Sequence, residues 1–136
     1  MYYRANRAHP AFEDLKALIL KTVGLGDALR TQLEKLGDKV RLVFLYGSVA
    51  RGEETASSDI DIMLVGEVSS REVASMLAPV KRALNREINS SVYRPTEFRK
   101  RFVERQPFVT NVLKEPKIFV LGNEGDLEAI LGRRSA

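Results

Sequence analysis

Residues Leu42 to Val65, LVFLYGSVARGEETASSDIDIMLV, constrain the fold of this chain more than any other stretch. Leu42 to Tyr46 is an apolar run of strand length. It stops at Gly47-Ser48, and after a polar loop a second strand reads from Asp59 to Val65. Side chains alternate along a strand, so Asp59 and Asp61 share one face while Ile60 and Ile62 point into the core. The loop is too short for the long crossover that parallel neighbours need, so the two strands are expected to be antiparallel. Two carboxylates pinned on one rigid face repel each other and leave room for a hard cation. Mg²⁺, which binds through one or two carboxylates together with substrate phosphates, suits that arrangement. A charge at Asp61, within Ile, Met, Leu and Val, also costs stability unless something pairs with it.

The turn between the strands is suited to phosphate. Gly47 has no side chain, so the backbone can turn tightly and approach a ligand. Ser48 to Arg51 reads as the first turn of a short helix, whose unpaired N–H groups and dipole favour an anion. The Ser48 hydroxyl adds a donor, and Arg51 can pair with a phosphate oxygen or with a nearby acid. A phosphate cradle joined by a short loop to a metal-binding acid pair is what a nucleoside triphosphate with Mg²⁺ requires.

Gly47-Ser48-x-Ala50-Arg51-Gly52, followed by Ser58-Asp59-x-Asp61, resembles the signature of the nucleotidyltransferase superfamily that includes the polymerase-β-like enzymes, and its minimal prokaryotic branch in particular. The resemblance implies a small mixed α/β (α+β) sheet with helices packed against it. It implies transfer of a nucleoside monophosphate, AMP from Mg²⁺-ATP, to a hydroxyl. Gly47, Ser48, Arg51 and Ser58 would bind the nucleotide, and Asp59 and Asp61 would ligate metal. In that branch the enzyme is often the antitoxin partner of a helical HEPN-type toxin and modifies one of its tyrosines. The family's third carboxylate falls on the next strand, and the matching residue here is Asn89, an amide that carries no charge and cannot act as a base. That departure motivates an alternative, a catalytically weak nucleotide-binding or regulatory module. Glu87, two residues earlier and about 7 Å along the strand, is either a longer acid reaching the same site or a solvated strand-end charge.

With 136 residues the chain is expected to form a single domain, with residues 1–10 as a linker and residues 11–37 as N-terminal helices. It has no cysteine, so no disulfide framework and no thiolate zinc site; its lone histidine, His9, leaves carboxylates or the substrate itself as any general base. No apolar run is long enough to span a bilayer and the first residues lack a signal-peptide core, so the expectation is a cytoplasmic protein. A net charge of +4 favours polyanionic ligands without indicating nucleic-acid binding. Residues 2–24 loosely resemble the link to a winged-helix DNA-binding domain in related prokaryotic proteins. No such domain is present here, so direct contact with nucleic acid is not expected, and the sequence leaves a homo-oligomer open.

Elsewhere the signals alternate helix and strand. Leu15, Leu18, Ile19 and Val23 recur at helical spacing after Pro10, with Gly24 and Gly26 breaking the pattern. A second helix spans Asp27 to Leu36 with Gly37 as its cap. Ser69 and Glu72 form a capping box that opens a helix to about Asn85, kinked or interrupted at Pro79. Glu87 to Tyr93 is a third strand, Thr96 caps a helix from Glu97 to about Arg105, and Phe108 to Lys114 is a further helix. Ile118 to Leu121 reads as an edge strand, Asn123 to Leu131 as a last helix closed by Gly132, and Arg133-Arg134 as a frayed tail. The segment from Arg94 to Lys117 is basic, as the wet face of amphipathic helices or as a patch for an acidic partner or nucleotide.

Overall fold

The computed structural model describes residues 24–53 and 58–133. The predicted first helix and the middle of the loop before Asp59 lie outside those residues. Helix α1 (Leu25–Leu33) runs into a 3₁₀ stretch (Glu34–Lys39), then β1 (Val40–Tyr46), the single turn α2 (Ser48–Arg51) and β2 (Ile60–Gly66). There follow α3 (Ser70–Leu84), β3 (Ile88–Tyr93), α4 (Pro95–Val103), α5 (Pro107–Lys114), β4 (Ile118–Leu121) and α6 (Glu124–Leu131).

The strands form one mixed sheet in the order β3-β2-β1-β4. β1 pairs antiparallel with β2, as the short loop demands, and with β4, which lies at the edge. β2 and β3 are parallel, and α3 supplies the crossover that such a pair requires. Helices cover both faces. Val43, Leu45, Ile60, Ile62 and Leu64 pack with Leu25, Leu29 and Leu33 of α1 and Val73, Leu77 and Val80 of α3. Leu42, Phe44, Tyr46, Met63 and Val65 pack with Phe98 of α4, Val109 and Val112 of α5, and Leu127, Ile130 and Leu131 of α6. A sheet buried on both sides explains why β1 and β2 read as continuous apolar runs. The face that carries Asp59 and Asp61 therefore turns into a second core two residues further on, at Met63.

Several local expectations shift. α1 starts at Leu25, with Gly24 as its cap and Gly26 inside its first turn, and gives way to the tighter 3₁₀ stretch after Leu33. Gly37, at φ 67°, breaks that stretch rather than capping α1. α3 runs through Pro79 as one element, because the buried Val73, Leu77 and Val80 hold the turns on either side against the sheet. Arg94, not Thr96, is the cap of α4, and Pro95 takes the first helical position, where its missing N–H is no loss. The Ser69–Glu72 capping box is present, with both reciprocal bonds at 3.1 and 3.0 Å. Arg133 is tied down: its guanidinium donates to Glu128 at 2.6 Å and lies over the Phe102 ring.

Candidate active site at the ends of β1, β2 and β3

The predicted residues converge where β1 ends and β2 and β3 begin. Asp61 is paired in register with Tyr46 on one side and Asn89 on the other. The Asn89 amide Nδ2 donates to Asp59 Oδ2 and to Asp61 Oδ1, both at 3.2 Å. One amide thus bridges the two carboxylates and offsets part of their repulsion. Asn89 and Asp59 are exposed, and Asp61 is half-buried.

The Gly47 turn lies directly against this pair. Gly47 has φ 71° and ψ −150°, a region open to glycine almost alone, and a Cβ placed there would overlap the Asp61 carboxylate. Both constraints fall on the same residue. Gly47→Ala is expected to lose about 1–3 kcal/mol of stability from the backbone alone and to push Asp61 out of line with Asp59. Chemical denaturation reads the first effect; an unchanged midpoint would show that the turn relaxes at no cost.

Ser48 opens α2, half-buried beside the turn. Arg51 Nε donates to Glu53 at 2.8 Å, and its Nη1 donates to Glu115 at 3.1 Å. Glu115 lies between α5 and β4, and the same oxygen accepts from the Gly47 N–H at 3.2 Å. Ser58 is fixed through its backbone: its carbonyl accepts from Arg86 Nε at 2.8 Å. Arg86 is only 7% exposed, just past the end of α3, and anchors the residue before Asp59. Glu87 does not join the cluster as an acid. Its carboxylate pairs with Lys81 of α3 at 3.1 Å, while its backbone carbonyl accepts from the Ile60 N–H.

Tyr46 completes the row. Burial is the main cause that raises its phenol above the ordinary value, with Asp61 and Glu115 adding to the rise and a hydrogen bond to Ser91 opposing it. The ring of Phe108, 37% exposed, meets Tyr46 edge-on at 6.2 Å. Part of the basic segment is engaged in structure: Arg94 pairs with Glu67, Arg101 with Glu97, and Lys117 Nζ donates to the carbonyls of Leu113 and Glu115. Phe98 is fully buried and Phe102 packs beside it. An apolar hollow between α1 and α3, lined by Leu25, Ala28, Pro79, Val80 and Leu84, shares no residue with the cluster.

Two aspartate carboxylates facing one way supply hard oxygen donors suited to Mg²⁺. Among the described residues no third Asp, Glu, His or Cys joins them. The place is taken by Asn89, whose carbonyl oxygen would face a cation only if the amide turned over. Glu115, Arg86 and Tyr46 were not singled out from the sequence. Glu115 is 64 residues from Arg51, an acid within a basic segment, with no sequence pattern linking the two. Arg86 resembles any charged residue at a helix end, and no sequence pattern announces its burial.

A strand–glycine turn–strand unit with paired acids on the second strand, in a mixed four-stranded sheet, is the architecture of a nucleotide-transferring enzyme. Residues 27–124 match the family described as a nucleotidyltransferase domain, and the chain belongs to that family. It is 32% identical over 84 residues to a Methanocaldococcus jannaschii protein assigned by name as a protein adenylyltransferase, an alignment covering 62% of this chain and 82% of that protein. Two solved structures share the fold. One is a toxin–antitoxin complex with AMP-PNP, at TM-score 0.54 and 19% identity. The other is an aspartate-to-glutamate double mutant of the toxin–antitoxin pair MntA–HpeT, at TM-score 0.57 and 14% identity. Each match covers 79% of this chain and 81% of the other.

Proposed function

We propose that this nucleotidyltransferase moves AMP from Mg²⁺-ATP to a hydroxyl group on a partner protein, the partner being a helical toxin of the HEPN type. The observation that carries the nucleotide part is the contact between the Gly47 turn and the Asp61 carboxylate, which sets a phosphate-suited bend against a metal-suited acid pair. The protein acceptor rests on the similarity to the Methanocaldococcus protein and on the toxin–antitoxin complexes that share the fold.

In this reading Asp59 and Asp61 hold Mg²⁺, and Gly47, Ser48 and Arg51 receive the triphosphate, with Ser58 shaping the approach to Asp59. Bound there, the metal would neutralise charge on the α-phosphate and on the leaving pyrophosphate. The acceptor oxygen forms a bond to the α-phosphorus as the bond to the bridging oxygen of the β-phosphate breaks. The acceptor proton goes to one of the two aspartates or to the departing pyrophosphate, since Asn89 cannot take it and Glu87 is engaged with Lys81.

ATP labelled at the α-phosphate, incubated with Mg²⁺ and a candidate helical partner, is expected to label the partner and release pyrophosphate in equal amount. A chelator should stop both, and label at the γ-phosphate should stay off the partner. Calorimetric binding of Mg²⁺-ATP with no pyrophosphate released would instead support a regulatory nucleotide-binding module, the reading that Asn89 favours.

A further inference from the structure

We propose that Glu115 is a positioning residue for the phosphate end of the site, setting Arg51 and the Gly47 turn in place before nucleotide arrives; this rests on the nucleotide reading above. A single carboxylate oxygen, Glu115 Oε1, accepts from the Gly47 N–H and from Arg51 Nη1. The backbone behind it is locked in turn. Lys117 Nζ donates to the Glu115 carbonyl at 3.0 Å and to the Leu113 carbonyl at 2.7 Å, and sits 5.9 Å from the centre of the Phe44 ring. Burial pushes the Lys117 ammonium pKa down, against the pull of Glu124, Glu115 and Glu128. A chain of contacts therefore runs from the core at Phe44, through Lys117 and Glu115, to the turn and to Arg51.

Arg51 is held on two edges. Glu53 takes Nε and Glu115 takes Nη1, so among the described residues two of its five N–H donors are used and the guanidinium plane is set. A free arginine loses much rotamer freedom on meeting a phosphate, and one already aligned loses less. The opposing possibility is that the Glu115 carboxylate occupies the place of a phosphate and must be displaced. Its side chain is 32% exposed and that of Arg51 40%, so solvent screens the carboxylate's repulsion of an incoming anion. Alignment is the larger effect.

The test is calorimetric binding of a non-hydrolysable ATP analogue with Mg²⁺ to the full chain, in wild type, Glu115→Gln and Glu115→Ala, alongside turnover at saturating nucleotide and thermal melting. Glu115→Ala is expected to bind about tenfold more weakly, the scale of immobilising one rotamer-rich side chain that is no longer aligned in advance. Glu115→Gln should stay within about threefold of wild type, because its amide oxygen accepts from the same two donors. Saturated turnover and melting midpoint should hold in Glu115→Gln, which keeps an acceptor for both donors. In an Arg51→Ala background, Glu115→Ala should add far less than tenfold. Unchanged affinity in Glu115→Ala, or tighter binding in either variant, overturns the proposal, the second outcome marking the carboxylate as a competing anion. A wild type that binds no Mg²⁺-nucleotide removes the nucleotide reading and this role with it. A wild type that binds while Glu115→Ala binds equally well removes the role alone.

Discussion

Asp61→Asn is expected to lower nucleotidyl transfer at least about a hundredfold while leaving the fold intact. The substitution keeps the shape of a side chain wedged between Tyr46, Asn89 and the Gly47 turn, and removes one of the two charges that would hold Mg²⁺. It also removes the repulsion between neighbouring carboxylates, so the melting midpoint of the metal-free protein should stay level or rise. A site that trades stability for function behaves this way. Adding Mg²⁺-ATP should raise the midpoint of the wild type, since a ligand of the native state stabilises it, and should have far less effect on the variant. Label transfer and melting together decide the matter: a variant that keeps more than a tenth of the wild-type activity would show that the chemistry does not run through this pair.

Much of the fold was legible because β1 and β2 are so short of polar residues. Apolar runs bounded by Gly47 and Gly66 leave few assignments open, and the loop length alone dictates an antiparallel pair. Capping chemistry was as informative: Ser69 with Glu72 marks a helix start through bonds that the structure shows at both ends, and the structure adds a second such box, Asn123 with Asp126. What misled was punctuation read singly. Gly26 sits inside a helix because the burial of Leu25 and Leu29 outweighs one unfavourable residue, and at Pro79 the expected helix is not interrupted, with Val73, Leu77 and Val80 buried along it.

The site divides along the same line. Gly47, Ser48, Asp59 and Asp61 lie within one short stretch, so local geometry alone brings them together. Asn89 was reached through the resemblance, as the position of the family's third carboxylate, and the structure sets it in register beside Asp61. Glu115 and Arg86 were out of reach, since their meetings with Arg51 and Ser58 exist only once the sheet and its helices have assembled. For Glu87 the sequence left two readings open, and the structure favours the strand-end charge: β3 starts one residue later, at Ile88, and Lys81 draws the exposed carboxylate toward α3.

Asn89→Asp is expected to raise Mg²⁺-dependent transfer about a hundredfold, the lower end of what a positioned general base contributes. The residue already sits within hydrogen-bond reach of both aspartates, so a carboxylate there would lie beside the metal without any change of backbone. The gain has a cost that can be measured separately. The amide now donates to both acids; a third carboxylate repels them instead, and without metal the variant should melt several degrees below the wild type. Mg²⁺ should recover that loss and more, giving a larger metal-induced shift in the variant than in the wild type. The two readouts must move together, because both follow from one added charge at one place. Lower activity combined with the larger metal shift would mean that the amide is required for transfer, and that the acceptor gives up its proton to Asp59, Asp61 or pyrophosphate with no third acid.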